Sequence, residues 1–90
     1  MLKIELVPDL DHCIETVTKR EYDETLRCLL ATPEGDQELE KRLELLSIFL
    51  EMIDFRKLRR ESEKYLVEGR KVKFVFHLEG RTPKYEMITT

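Results

Sequence analysis

The chain has 90 residues, 41% hydrophobic and 39% charged, with a net charge of −3. That length is expected to make one domain (1–90) with a modest core, and the near-balance of charge excludes a global field that would draw the chain to nucleic acid or anionic lipid. No window approaches the roughly 18 uncharged apolar residues that cross a bilayer, so no membrane association is expected.

Asn and Trp are absent and Gln37 is the single glutamine, leaving Glu, Lys and Arg to supply the polarity. High temperature favours such a composition, because the desolvation cost of ion pairs falls as temperature rises; a thermophilic source is expected. Lys3 and Glu5 interrupt the apolar run that a signal peptide needs. A cytoplasmic location is the expectation, with Cys13 and Cys28 as free thiols.

Taken in chain order, Leu2, Ile4 and Leu6 alternate with Lys3 and Glu5, the period of a half-buried strand that stops at Pro8. Pro8–Asp11 reads as a turn. Ile14, Thr16, Val17 and Thr18 are β-branched, which predicts a second strand. The rival is a helix from Asp9 to Leu30. Against it, the stripe Leu10, Ile14, Val17 falls out of phase with Tyr22, Leu26, Leu29 and Leu30, and Thr18–Glu21 has the form of a capping box that would start a helix there. A first helix is expected over Lys19 to Ala31, ended by Thr32-Pro33-Glu34-Gly35.

From Asp36 to Glu68 there is neither Gly nor Pro, and Gly69 is placed to cap the end. One long helix is predicted. In its first half Leu43, Leu45, Leu46, Ile48, Phe49, Leu50, Met52, Ile53 and Phe55 spread around most of the circumference, leaving only Glu44, Ser47, Glu51 and Asp54 as a polar strip. Such a helix must be covered on several sides. After Phe55 the apolar positions (Leu58, Tyr65, Leu66) move to the other side, so the helix either bends near Asp54–Phe55 or passes straight between two packing partners. Straight, it would be a rod of about 50 Å, overhanging a globule whose expected radius of gyration is about 12 Å.

The last segment reads as a hairpin. Val72, Phe74, Phe76 and Leu78 form one face, Gly80-Arg81-Thr82-Pro83 the turn, and Lys84–Thr89 the return strand. Pairing Glu79 with Lys84 sets His77 against Glu86 and Phe76 against Met87, which brings opposite charges together on one face. The predicted fold class is α+β, two β-hairpins packed on a short helix and one long helix, in the order β-β-α-α-β-β or, with the rival helix, β-α-α-β-β.

Three functions compete. The uncovered apolar face of the long helix (Leu45, Phe49, Met52, Ile53) points to a small non-enzymatic interaction module, a homodimer or a subunit bound to a protein partner. The stretch 56–73 carries eight basic residues against three acidic ones, so Arg56, Arg59, Arg60 and Lys64 could contact nucleic acid. A solvated helix face explains them as well: basic residues suit a helix C-terminus, and Lys57–Glu61 and Arg59–Glu63 stand at i,i+4 spacing. Third, Glu21, Glu24, Glu51 and Asp54 lie in an E-x-x-E…E-x-x-D pattern that resembles the MazG-type nucleotide pyrophosphohydrolases. That resemblance implies Mg²⁺ held by four acids on antiparallel helices. Folding back at Thr32–Gly35 sets Glu51 about 12 Å along the axis from Glu24, which opposes convergence. His12, Cys13, Cys28 and His77 lack zinc-ligand spacing. No metal or cofactor is therefore expected, and no catalytic residue is assigned.

Overall fold

A computed structural model describes residues 2–90. It is an α+β fold with the order β1 (Ile4–Leu6), α1 (Ile14–Leu30), α2 (Gln37–Met52), α3 (Phe55–Val67), β2 (Val72–Glu79) and β3 (Thr82–Thr89). β1, β2 and β3 form one antiparallel sheet in that spatial order, with β2 in the middle. The three helices supply the partners of its apolar face.

The region predicted as a second strand is the first part of α1. The buried positions of α1 are Ile14, Thr18 and Thr25, with Val17 and Tyr22 partly buried against the core, and they recur at helical spacing. Two of them are threonines, which a count of apolar residues passes over. The Thr18 hydroxyl donates to the Ile14 carbonyl at 2.7 Å, and that of Thr25 to the Glu21 carbonyl at 2.8 Å. Bonded back to the preceding turn, each hydroxyl is satisfied within the helix, so both threonines are buried without an unpaired polar group. The phase break inferred from Val17 to Tyr22 disappears once Thr18 is included. The N-terminal hairpin therefore does not exist. β1 instead adds to the C-terminal hairpin, Ile4 opposite Phe76 and Leu6 opposite Phe74.

The single long helix is two helices. Ile53 (φ −82°, ψ 138°) and Asp54 (φ −81°, ψ 93°) are extended, and the Asp54 carboxylate accepts the N–H groups of Arg56 (3.1 Å) and Lys57 (3.4 Å), capping a new helix. The break falls where the apolar pattern changes phase. α2 buries Leu45, Leu46 and Phe49; α3 buries Phe55, Leu58 and Ser62. Asp36 caps α2 through the amides of Glu38 and Leu39. Gly69 (φ +82°) ends α3, with Gly69 N–H on the Leu66 carbonyl and Arg70 N–H on that of Tyr65, the pair of bonds that closes a left-handed cap.

Much of the apolar circumference of α2 is covered by its own chain, between α1 and the sheet. Phe49 stacks on Phe76 of β2 with centroids 4.0 Å apart and planes at 10°, and both rings are fully buried. The broken helix replaces the single rod, and the molecule remains elongated: its radius of gyration is 13.7 Å and its longest dimension 46 Å, against 27 and 21 Å along the other two axes.

The hairpin keeps its predicted faces and slips by two residues. Glu79 pairs with Thr82, His77 with Lys84, Phe76 with Tyr85 and Phe74 with Met87. The turn is two residues, Gly80-Arg81, with Gly80 at φ +63°, a conformation natural to glycine at the first position of a tight hairpin loop. This turn outweighs the cross-strand charge pairing expected for His77 and Glu86. An even slip leaves every side chain on its original face.

Truncation should separate the buried and open residues of α2. Phe49→Ala is expected to cost about 3–5 kcal/mol in urea unfolding, and Met52→Ala, at a residue 62% exposed, within about 0.5 kcal/mol. Asp54→Ala should cost about 1 kcal/mol through loss of the α3 cap. Equal losses at Phe49 and Met52 would contradict this packing.

Candidate functional site

The α2–α3 break opens a cleft of about 420 Å³ against the N-terminus of α1. Leu50, Ile53 and Phe55 give it apolar walls, Cys13 and Glu15 contribute from α1, and Asp54, Arg56 and Arg59 come from the start of α3. A smaller hollow of about 60 Å³ adjoins it, sharing Cys13 and Arg59 and reaching Asp9, Leu10 and Leu66. Each wall follows from local chemistry. Asp54 turns the chain by capping α3, and one turn of helix then carries Arg56 and Arg59 to the same side.

The charges of the cleft are unequal in availability. The Asp54 carboxylate is engaged by two backbone amides. Glu15 lies 3.9 Å from Lys19 on the same helix. Arg56 and Arg59 form no ion pair among the described residues. The guanidinium groups are the uncommitted charges of the cleft itself, while Glu63, one helical turn from Arg59 in the adjoining hollow, also has no ion pair among the described residues.

Cys13 occupies the N-cap of α1 but provides no oxygen to cap it. Its sulfur stands 3.4 Å from the Thr16 hydroxyl. That hydroxyl, the Thr16 amide, the Glu15 amide and the Arg59 charge hold the thiol below its ordinary value, against the desolvation that would raise it. Here the thiolate, with its charge at a helix N-terminus, is the better cap.

The residues proposed for a partner interface do not stay together. Leu45 and Phe49 are buried in the chain's own core, Ile53 is half-buried in the cleft wall, and Met52 is open to solvent. The basic set divides too. Arg56 and Arg59 line the cleft; Arg60 is exposed outside it. The Lys64 ammonium lies 5.1 Å from the Tyr65 ring centroid, which the Arg70 guanidinium also faces at 5.0 Å. Neither expected i,i+4 pair closes. Glu61 accepts the Tyr85 hydroxyl at 3.1 Å instead, and desolvation together with that carboxylate raises the phenol above its usual value.

The four acids of the E-x-x-E…E-x-x-D pattern are dispersed in role. Glu21 pairs with Arg42 at 3.0 Å, Glu24 with Arg27 at 3.7 Å, Asp54 caps α3, and Glu51 is exposed. No group of three or more metal-ligating side chains occurs among the described residues. Both thiols are free, Cys13 half-buried and Cys28 exposed. Among the described residues, no helix is long and apolar enough to cross a membrane.

The chain belongs to an uncharacterised protein family, whose model matches residues 1–83. No curated protein and no solved structure matches it.

Cys13 gives this site a direct readout. In Cys28→Ser protein, the pH profile of iodoacetamide alkylation should inflect lower for the folded chain than for the same chain in urea. Thr16→Val and Arg59→Gln should each raise it. By linkage, a depressed thiol adds stability that is present above the unfolded value and lost as pH falls through the folded one. Superimposable folded and unfolded profiles would contradict the assignment.

Proposed function

We propose that this protein is a small non-enzymatic interaction module, and that its working surface is the cleft at the α2–α3 break. One observation carries the reading: the cleft sets the apolar side chains of Leu50 and Ile53 beside two guanidinium groups, Arg56 and Arg59, that have no ion partner among the described residues. The complementary ligand is a segment of a partner protein in which carboxylates flank a large apolar side chain. The apolar group would fill the cleft, and the carboxylates would take the arginines, whose fork matches a carboxylate in two-pronged fashion.

This places the interaction at the end of the helix pair, because Leu45 and Phe49 already serve the fold. It also gives the basic residues a narrower role than a nucleic-acid stripe. A stripe that follows a phosphate backbone needs several cations in line, whereas two of the four enter the cleft.

Fluorescence anisotropy with a labelled peptide alternating glutamate with leucine and phenylalanine tests the reading. Saturable binding that weakens with salt is expected, reduced about tenfold or more by Arg56→Glu with Arg59→Glu, a loss of about 1.4 kcal/mol or more. Ile53→Ser should weaken it as well. A labelled single-stranded oligonucleotide serves as the contrast. No saturation by the peptide, or tighter binding of the oligonucleotide that ignores Ile53→Ser, would overturn the proposal.

A further inference from the structure

The open edge of the sheet carries a second surface, independent of the cleft. Among the described residues, β3 pairs with β2 on one side and has no strand on the other. The Thr90 amide donates to the Lys71 carbonyl at 3.1 Å, and this fixes the alternation of the ladder. Thr82, Lys84, Glu86 and Ile88 turn their peptide groups to β2; Pro83, Tyr85, Met87 and Thr89 turn theirs outward. Pro83 therefore sits where its missing N–H faces the open side, as proline in an edge strand should. The face of β3 away from the helices shows Lys84, Glu86 and Ile88, all exposed. Neither Lys84 nor Glu86 has an ion partner among the described residues.

We propose that β3 pairs antiparallel with β3 of a second copy of this chain, about a two-fold axis through Tyr85, joining two three-stranded sheets into one of six strands. Charge complementarity selects this occupant and this register. Two residues of opposite sign flank Tyr85, so the two-fold sets Lys84 of each copy directly against Glu86 of the other. They meet at a non-hydrogen-bonded pair, where side chains approach closest. The two Tyr85 residues exchange both backbone bonds, and each Met87 amide donates to the Pro83 carbonyl of the other copy. The lost Pro83 N–H removes one bond at each end and none at the centre.

A register centred on Met87 would keep six bonds, yet it sets Glu86 against Ile88 and pairs no charges. At that end the Arg70 guanidinium already holds the Thr89 hydroxyl (3.3 Å) and the Thr90 carbonyl (3.1 Å). Edge pairing leaves the cleft open on the helical layer, so the dimer would present two clefts, and a divalent partner would bind it with avidity.

Sedimentation equilibrium of the full chain from micromolar to millimolar concentration tests this. The wild type should dimerise reversibly. Lys84→Glu and Glu86→Lys should each raise the dissociation constant at least tenfold, since symmetry alters two pairs at once, and the variant carrying both should recover the wild-type value. Thermal melts of all three check that these exposed substitutions leave the fold intact, and hydrogen exchange at the Tyr85 and Met87 amides should slow with dimer formation. A wild type that stays monomeric at millimolar concentration overturns the proposal. So does a dimer indifferent to either single reversal, or a folded double variant that fails to recover. Peptide binding at the cleft is measured separately, so the two readings fail separately.

Discussion

The stack of Phe49 on Phe76 joins α2 to the central strand of the sheet inside a core that all three helices share. Phe76 lies on the central strand, paired with Ile4 on one side and Tyr85 on the other, and Phe74 and Tyr85 extend the aromatic layer with centroids 5.9 Å apart. The parallel rings hold the Phe49 face of α2 against the sheet. Leu45 and Leu46 then fall into the core beside Phe49, and α1 is left to cover the remaining side of α2.

The helix break is a consequence of that arrangement. A rod continuing past Met52 would carry its apolar residues off the sheet, whereas α3 must bury Leu58 and Ser62 on a different face. Two extended residues and an aspartate cap make the change of phase at low cost, since Asp54 satisfies amides that a broken helix would otherwise leave open. The cleft is what this change of direction leaves beside the α1 N-terminus. Its composition follows from helix ends: apolar residues from the close of α2, and from α3 the first arginines, whose charge no neighbouring acid consumes.

Much of this was legible. The phase change at Asp54–Phe55, the cap at Gly69, and the two faces of the hairpin all follow from residues close together in sequence, and each reflects a local rule of backbone geometry or periodicity. Ile53, Arg56 and Arg59 were also marked, Ile53 as surplus apolar surface and the arginines as surplus charge, for unrelated reasons. What was not legible was that they share one cleft, or that Cys13 joins them, because a strand over Ile14–Thr18 would have placed that cysteine elsewhere. Thr18 hid the start of α1: bonded to the carbonyl four residues back, it is fully buried, but it looks polar in a sequence.

The sequence by itself determined the α+β class, the period of each long segment and where its phase changes, since these depend on side chains a few positions apart. Only the tertiary structure decided what covers each apolar face. The residues around α2 look alike in sequence, yet Leu45 and Phe49 are consumed by the sheet while Met52 is left outside. That division depends on the partner surfaces of α1 and β2, which lie far from α2 along the chain, and on which face of α2 the Phe49–Phe76 stack holds to the sheet.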